Sequence, residues 1–238
     1  MSRDFDHLHV AVTGGTGALG TAVIRQLVNE GATCHVPSLF PAELEHFAFK
    51  EHPQVHIVES VDLTRESSVE RFYLDLPPLW ASIQCAGGFD MAPLEATTLH
   101  AFERLMNMNA TSCFLCCREA VRNIHRRPDR DAGGRLVNVA ARPALEPRSG
   151  SGMVAYTMSK AAVAALTASL AEELKDEKIW VNAVAPSILD TPANRAAMPD
   201  ADPSLWASLD EVAETITFLA SPRNGTTRGG IVPVYGRS

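Results

Sequence analysis

Apolar residues follow two different periods along this chain. Short runs rich in Val and Ile, typical of buried strands, alternate with longer segments whose apolar residues recur every three or four positions, as in amphipathic helices. The predicted strands are Leu8 to Val12, Thr33 to Val36, Val55 to Val58, Trp80 to Cys85, Arg135 to Val139, Trp180 to Val184 and Ile231 to Val234. The predicted helices lie near Leu19 to Glu30, Ser67 to Leu74, Leu99 to Arg126, Ala155 to Lys175 and Asp210 to Ala220. Because strands that alternate with helices form βα units, the pattern predicts a single α/β domain over residues 1–238, a doubly wound parallel sheet of about seven strands with helices on both faces.

Two connections rich in Pro and Gly follow predicted strands. They are Arg142 to Gly152 and Pro186 to Pro203. In an open α/β sheet the ligand lies beyond the carboxyl ends of the strands, so both loops should border a site. The second loop is long for a simple connection, and we expect Ser187 to Trp206 to close over a ligand.

The composition narrows the class of protein. Of 238 residues, 46% are hydrophobic and 21% are charged, which is ordinary for a globular protein with a sizeable core. The net charge of -7 disfavours a nucleic-acid partner, because such binding needs a basic face. The polar segment Met1 to His9 does not resemble a secretory signal, and no run of about 18 apolar residues predicts a membrane span. We therefore expect a soluble, cytoplasmic protein that acts on a small molecule.

The cysteines and histidines do not predict a metal site. The five cysteines are an odd number with three of them crowded together, a poor basis for a disulfide framework. Cys113-x-x-Cys116 has the spacing of a redox or metal pair, but it lies in an apolar helical run, where cysteines serve as small packing residues. The eight histidines are scattered without ligand spacing. A reducing compartment and no bound metal are expected.

A glycine-rich loop joins the first predicted strand to the first predicted helix. Glycines allow a tight turn and a close approach to a pyrophosphate, and the helix N-terminus offers free N–H groups and the positive end of a dipole. The alternative is a tight turn without a ligand. The loop predicts a dinucleotide site with contacts from Gly14, Thr16, Gly17, Ala18, Leu19 and Gly20.

The preference between NAD and NADP stays open at this point. An acidic residue at the end of the second strand usually selects NAD by bonding the ribose hydroxyls, but that place is Ser38 here. Neither the segment Ser38 to Phe40 nor the glycine loop has an Arg or Lys to hold a 2'-phosphate. Asp62, after the third strand, is a candidate for contacting the adenine, or an ordinary acid that caps the next segment.

Tyr156 and Lys160 lie four residues apart in a predicted helix, so their side chains share one face. An adjacent cation favours the phenolate and lowers the pKa of a phenol toward the useful range. Tyr156 can then exchange a proton with a substrate while a hydride moves at a nicotinamide. The alternative is a chance pair on a helix surface.

Together these segments resemble the short-chain dehydrogenase/reductase family from Val10 to Gly236. The motifs that match in family order are the glycine loop, Asn109 in Met108-Asn109-Ala110-Thr111, Leu136-Val137-Asn138-Val139, Tyr156-x-x-x-Lys160 and Val181-Asn182-Ala183-Val184-Ala185-Pro186. The resemblance implies a Rossmann-like oxidoreductase that uses NAD or NADP, with Tyr156, Lys160 and Asn109 in catalysis. It further implies that Asn109 holds a water in a proton relay and that Ile188 and Thr191 meet the nicotinamide side. The remaining implied cofactor contacts are Ser38, Asp62, Ala86, Gly87 and Pro186.

The chain also departs from the family pattern. The serine expected three residues after Asn138 is Ala141, and Ser149 or Ser151 are the candidates to replace its hydroxyl. These departures, with Gln84-Cys85-Ala86-Gly87-Gly88 and Leu189-Asp190-Thr191-Pro192-x-Asn194-Arg195, resemble the dihydropteridine reductase branch of the family. Such enzymes reduce an imine-like pterin, for which loss of the serine costs less. The expected substrate-pocket residues are Ala141, Gly88 and Ser187.

Three functional hypotheses follow. The first is a reductase of a conjugated C=N or C=O compound, such as a quinonoid dihydropterin, that works through Tyr156 and Lys160. The second is a general carbonyl or alcohol oxidoreductase acting on a small metabolite. The third is a cofactor-binding sensor that has lost efficient catalysis, as Ala141 and Ser38 suggest. Retention of Tyr156, Lys160 and Asn109 together argues against the third.

The long predicted helices indicate self-association. The helix Ala155 to Lys175 carries small and apolar residues over more than one face, more than packing on one side of a sheet requires. We expect it and the helix Leu99 to Arg126 to pair with their copies in a homodimer or homotetramer, as family members do.

Overall fold

The computed structural model describes residues 3–238 and contains one parallel sheet of seven strands. The strands are β1 (His9–Thr13), β2 (Thr33–Ser38), β3 (Val55–Glu59), β4 (Ala81–Gln84), β5 (Gly134–Val139), β6 (Ile179–Pro186) and β7 (Ile231–Val234). Their order in the sheet is β3-β2-β1-β4-β5-β6-β7. The order reverses between β1 and β4, which is the place where open parallel sheets form their ligand crevice. The predicted doubly wound α/β fold is confirmed.

The helices connect the strands on both faces of the sheet. They are α1 (Ala18–Asn29), α2 (Glu66–Asp75), α3 (Leu99–Leu105), α4 (Ser112–Ile124), α5 (Arg142–Leu145), α6 (Val154–Glu173), α7 (Pro192–Ala197) and α8 (Leu209–Ala220). The one long helix predicted over Leu99 to Arg126 is wrong in detail, because a π-helical segment, Met106–Thr111, separates α3 from α4. No Pro or Gly marks that segment, so periodicity alone predicts a continuous helix.

The sheet separates two hydrophobic cores. Side chains alternate between the faces of β1, so that Val10 and Val12 pack into the core of α1 and α8 while Ala11 packs into the core of α2, α4 and α6. Burial of both faces explains why the central strands are continuous apolar runs rather than alternating ones. Because helices cover both faces of the sheet, the ends of the strands are where polar side chains can meet a ligand.

Helix α6 is long and apolar, and it packs on the sheet. This helix of 20 residues contains an 18-residue window with a mean hydropathy of 1.2, enough by length and composition to cross a membrane, although core helices pass the same test. One face packs on β5, β6 and β7 through the buried residues Val163, Thr167 and Ala171. Packing of this face against the sheet orients the first turns of the helix, where Tyr156 and Lys160 lie.

Three histidines stack across the edge of the sheet on adjacent strands β1, β2 and β3. The ring centroids of His9 and His35 are 5.2 Å apart, and those of His35 and His56 are 5.4 Å apart. The His9 Nδ1 and His35 Nε2 atoms share a hydrogen bond of 3.0 Å. Burial, followed by the charges of His9 and His56, lowers the pKa of His35 to about 4. Three positive charges cannot be accommodated in this stack without loss of stability.

This stack predicts that the protein loses stability in mild acid. The unfolded chain binds a proton at position 35 near pH 6.5 and the folded chain only near pH 4, so stability is full above pH 6.5 and falls as the pH drops toward 4. We expect a loss on the order of 2 kcal/mol between pH 7 and pH 5 from His35. Urea unfolding at both pH values should show a smaller loss in His35→Gln. Equal losses in the two proteins would contradict the assignment.

Candidate active site

The glycine loop after β1 is held against the loop after β4. Gly14 has a φ of 63°, a left-handed conformation that favours glycine, and a Cβ there would lie only 2.6 Å from the Ala86 backbone nitrogen. A Cβ at Gly20 would overlap the Gly14 carbonyl oxygen, so the first turn of α1 also packs closely on the loop. The structure therefore brings the predicted cofactor residues of the two loops together.

The N-terminus of α1 is available for an anion. Gly17 is the N-cap and supplies no side-chain cap, and the first turn contains no acidic residue. The free N–H groups and the positive end of the helix dipole consequently face the crevice. These features fit the pyrophosphate of a dinucleotide.

A buried hydrogen-bond chain joins the two loops beneath this crevice. The Thr13 hydroxyl donates to Gln84 Oε1 at 3.2 Å and accepts from the Ala86 N–H at 3.4 Å. The Gln84 amide donates to the Ser82 hydroxyl at 2.9 Å. Sequence analysis identified Gln84 only as a departure from the family pattern, whereas here its side chain orders the loop that carries Ala86.

Lys160, Gly87 and Asn109 meet at the carboxyl ends of β4 and β5. The Lys160 ammonium donates to the Val139 carbonyl oxygen at 2.8 Å. A Cβ at Gly87 would lie 3.3 Å from Lys160 Nζ and 2.6 Å from Asn109 Oδ1. Residues that are far apart in the sequence thus converge beside the glycine loop, as a dinucleotide-dependent site requires.

The Asn109 side chain clamps the backbone of Gly88. Its Oδ1 accepts from the Gly88 N–H at 2.8 Å, and its Nδ2 donates to the Gly88 carbonyl at 3.0 Å. The same Nδ2 donates to the Ser159 hydroxyl at 3.0 Å, which in turn donates to the Tyr156 carbonyl at 2.8 Å. Asn109 therefore positions both the Gly88 backbone and the turn of α6 that carries Tyr156. Sequence analysis missed Ser159, whose only signal is its place between Tyr156 and Lys160 on the buried side of the helix.

Burial controls the protonation of the Tyr156 and Lys160 pair. It raises the pKa of Tyr156 to about 12 and lowers the pKa of Lys160 to about 8. The expected lowering of the Tyr156 pKa by Lys160 is wrong. The Lys160 ammonium donates to the Val139 carbonyl oxygen, and desolvation raises the pKa of the phenol. Burial therefore favours the protonated form of the phenol.

Phe89 is a site residue that sequence analysis missed. Its ring is 58% exposed and meets the Tyr156 ring edge to face, with centroids 4.9 Å apart and an angle of 82° between the planes. An aromatic residue directly after the Gly87-Gly88 pair was the available signal. The ring forms an apolar wall next to the phenol.

Neither of the two serines considered as replacements for the missing hydroxyl is buried beside Ala141. Ala141 is buried at the start of α5, which packs against α6. Ser149 is exposed and its hydroxyl donates to the Glu146 carbonyl at 2.8 Å, while Ser151 is also exposed. The suggestion that one of these serines folds back is not supported by this geometry.

The loop from Ser187 to Trp206 is fixed at its base. The Ala207 N–H donates to the Ile188 carbonyl at 3.1 Å, and the Asp190 N–H donates to the Ala207 carbonyl at 2.9 Å. Thr191 caps α7, with its hydroxyl accepting from the Asn194 N–H at 3.1 Å. Pro186 ends β6, so the loop begins at the carboxyl edge of the sheet, and closure over a ligand stays a prediction.

The other candidates occupy more ordinary places. Asp62 Oδ1 accepts from the Thr64 N–H at 2.9 Å and from the Thr64 hydroxyl at 2.7 Å, in the turn before α2, and the N-cap of α2 is Arg65 rather than Asp62. Ser38 ends β2 and is buried. All five cysteines are free, and the three on α4 are buried in the core. Within residues 3–238 no group of three or more His, Cys, Asp or Glu side chains is arranged to hold a metal ion.

Residues 8–202 match the family described as short chain dehydrogenase, and the chain belongs to that family. It is 28% identical over 244 residues to carbonyl reductase (NADPH) 2 of Sus scrofa, covering 98% of this chain and 96% of the relative. It is 28% identical over 235 residues to L-xylulose reductase of Bos taurus, covering 94% and 93%. The solved structure of ElxO with NADP bound has a TM-score of 0.84 at 22% identity, covering 96% of this chain and 97% of that one.

These findings place the chain among the oxidoreductases that use NAD or NADP. They confirm the predicted family and enzyme class. The names of the two relatives are those of a carbonyl and a sugar reductase, and they give no support to the dihydropteridine reductase branch. They agree better with the second hypothesis than with the first.

Proposed function

We propose that this protein interconverts a carbonyl and an alcohol group on a small metabolite with NAD or NADP. The observation that supports this most is the convergence of Tyr156, Lys160, Asn109 and Gly87 beside a glycine loop that fits a pyrophosphate. The names of relatives that cover nearly the whole chain agree with it. A cytoplasmic location, consistent with five free cysteines, is part of the proposal.

Each site residue has its own role in the proposed reaction. The bound dinucleotide supplies or accepts the hydride. Tyr156 gives its phenolic proton to the substrate oxygen, since burial keeps the phenol protonated at neutral pH. Lys160 keeps a positive charge beside the site below about pH 8 and can bond hydroxyl groups of the bound nucleotide. Asn109 holds the Gly87–Gly88 backbone and the Tyr156 turn in a fixed relation.

A substrate panel tests this proposal. Ketones, aldehydes, sugars, quinones and a quinonoid dihydropterin would each be assayed with NADH and NADPH at the nicotinamide absorbance. We expect turnover on aldehydes or ketones. Nucleotide binding without turnover of any compound would instead favour the sensor hypothesis.

Reduction of a quinonoid dihydropterin is the second candidate function. The exposed ring of Phe89 beside Tyr156 offers a flat wall to a planar conjugated substrate, and Ala141 provides no carbonyl-binding hydroxyl. In the same panel this function would appear as faster turnover of the pterin than of any simple ketone. A Phe89→Leu variant should then lose affinity for the pterin more than for a ketone.

Restoring the hydroxyl at position 141 distinguishes the two functions. We expect Ala141→Ser to raise turnover of simple ketones by up to about tenfold, the effect of one added neutral hydrogen bond, and to leave pterin turnover nearly unchanged. Ala144→Ser, in the short helix α5 that Ala141 precedes as N-cap, is the matched control. A gain on the pterin with none on ketones would reverse the assignment.

We also propose that the protein is a homodimer or homotetramer. Met158 on α6 is 50% exposed, Phe114 on α4 is 48% exposed, and Ala165 and Ala168 are on the outer side of α6. Sedimentation at micromolar concentration should give a multiple of the 25.7 kDa chain mass, and Ala165→Glu should lower it. A wild-type mass of one chain would exclude this assembly.

A further inference from the structure

A carboxylate is held at the end of β2, although the residue at that place is Ser38. The Ser38 hydroxyl donates to Glu43 Oε2 at 2.8 Å, and the Leu39 N–H donates to the same oxygen at 3.3 Å. Glu43 lies in the 3-10 turn Pro41–Leu44, which the buried side chain of Leu44 anchors to the core. The fold of this turn thus brings an acid from five residues further along the chain back to the strand end.

The strand end is next to the glycine loop. β2 pairs with β1, from which the loop starts, and a Cβ at Gly15 would lie 2.8 Å from Val36 Cγ1. Glu43 is exposed, and its Oε1 atom has no hydrogen-bond partner within residues 3–238. One carboxylate oxygen is therefore fixed by two donors while the other is free to accept hydrogen bonds from a ligand.

The charged residues in the segments around the end of β2 are all acidic. Residues 13–20, 38–45 and 59–64 contain no Lys or Arg, and their acidic residues are Glu43, Glu45, Glu59 and Asp62. A 2'-phosphate needs positive partners, and a carboxylate next to it costs free energy through like-charge repulsion. Ribose hydroxyl groups, by contrast, are good donors to a carboxylate.

We propose that Glu43 is a specificity-determining residue that selects NAD(H) over NADP(H), with Ser38 as the residue that positions it. The inference rests on the proposed function, since it takes the adenosine end of the dinucleotide to lie beside the glycine loop. Glu43 accepts from the ribose hydroxyls and disfavours the 2'-phosphate. Glu43 thereby takes the role of the acidic residue that binds the ribose hydroxyls at the end of β2, where the sequence has a serine.

Binding measurements on the whole chain test this without relying on turnover. The dissociation constants of NADH and NADPH would be measured by calorimetry for the wild type, Glu43→Gln and Glu45→Gln. We expect the wild type to bind NADH about tenfold to a hundredfold more tightly than NADPH, the range of one charged hydrogen bond. In Glu43→Gln the ratio should approach one. Glu45→Gln removes the same charge from an exposed neighbouring position and should leave the ratio as in the wild type.

The possible outcomes separate this inference from the proposed function. Equal affinity of the wild type for both nucleotides, or the same change in both glutamate variants, would show that Glu43 has no such role while the enzyme class stands. If neither nucleotide binds, the proposed function fails as well. If circular dichroism shows that Glu43→Gln does not fold, Ser38→Ala is measured instead. Loss of the hydroxyl that anchors Glu43 should lower the preference for NADH several-fold. An unchanged ratio of the two dissociation constants would overturn the proposal.

Discussion

We expect Tyr156→Phe to lower kcat by about a hundredfold to ten-thousandfold, the usual effect of losing a positioned acid–base group. The phenol oxygen has no hydrogen-bond partner within residues 3–238, so its removal leaves the packing of the ring against Phe89 intact. Folding and nucleotide affinity should therefore stay close to those of the wild type. Steady-state kinetics on the best substrate of the panel, with calorimetry for the nucleotide, measures both quantities.

The matched control is Tyr235→Phe. Tyr235 also packs an aromatic ring against a neighbour, Arg142, but it belongs to the C-terminal segment and not to α6. This variant should keep kcat within a few-fold of the wild type. Near-normal turnover by Tyr156→Phe would mean that another group gives the proton, and the proposed mechanism would have to be abandoned.

The second large effect is expected from Lys160→Ala. Loss of the ammonium should lower kcat by about a hundredfold or more and weaken nucleotide binding. The buried cation supplies the positive charge beside Tyr156 and also bonds the nucleotide, so the variant loses both interactions. The wild type should also lose reductase activity as the pH rises above about 8, where Lys160 gives up its proton, while Tyr156 with a pKa near 12 stays protonated. The pH–rate profile of the variant should lack this decline.

Lys50→Ala is the control for this prediction, because Lys50 is exposed and outside the site. It should keep the wild-type rate, nucleotide affinity and pH profile. An unchanged decline above pH 8 in Lys160→Ala would assign that decline to a different group. Retained nucleotide affinity in Lys160→Ala would leave only the proton-transfer role.

Periodicity predicted the central strands well because β1, β4, β5 and β6 are buried on both faces of the sheet. β1, β5 and β6 begin and end within two residues of their predicted bounds. Gly14 follows β1 and Pro186 ends β6, whereas β5 is followed by Ala140 and Ala141. The failure at Met106–Thr111 has a different cause. The Asn109 side chain in this segment has its partners, Gly88 and Ser159, in other elements, so no local pattern in the sequence marks the π-helical turn.

In the candidate site, too, local sequence patterns predicted some features, and others depend on tertiary contacts. The glycine loop and the pair Tyr156 and Lys160 are local patterns whose chemistry follows from spacing along one helix or one turn, so the sequence reveals them. The direction of the Lys160 ammonium and the contact between Phe89 and Tyr156 depend on segments that meet only in three dimensions. The expected effect of Lys160 on the phenol pKa was wrong for that reason.

By itself the sequence determined the α/β class, the positions of the strands and the family motifs, because periodicity and short-range spacing carry that information. The tertiary structure alone decided the electrostatics of the site, since burial raises the pKa of Tyr156 and lowers that of Lys160. It also decided which acid lies at the end of β2. The sequence shows Ser38 at the end of β2, and only the folding back of Pro41–Leu44 places the Glu43 carboxylate there, because a side chain can reach a strand end from any segment that packs beside it.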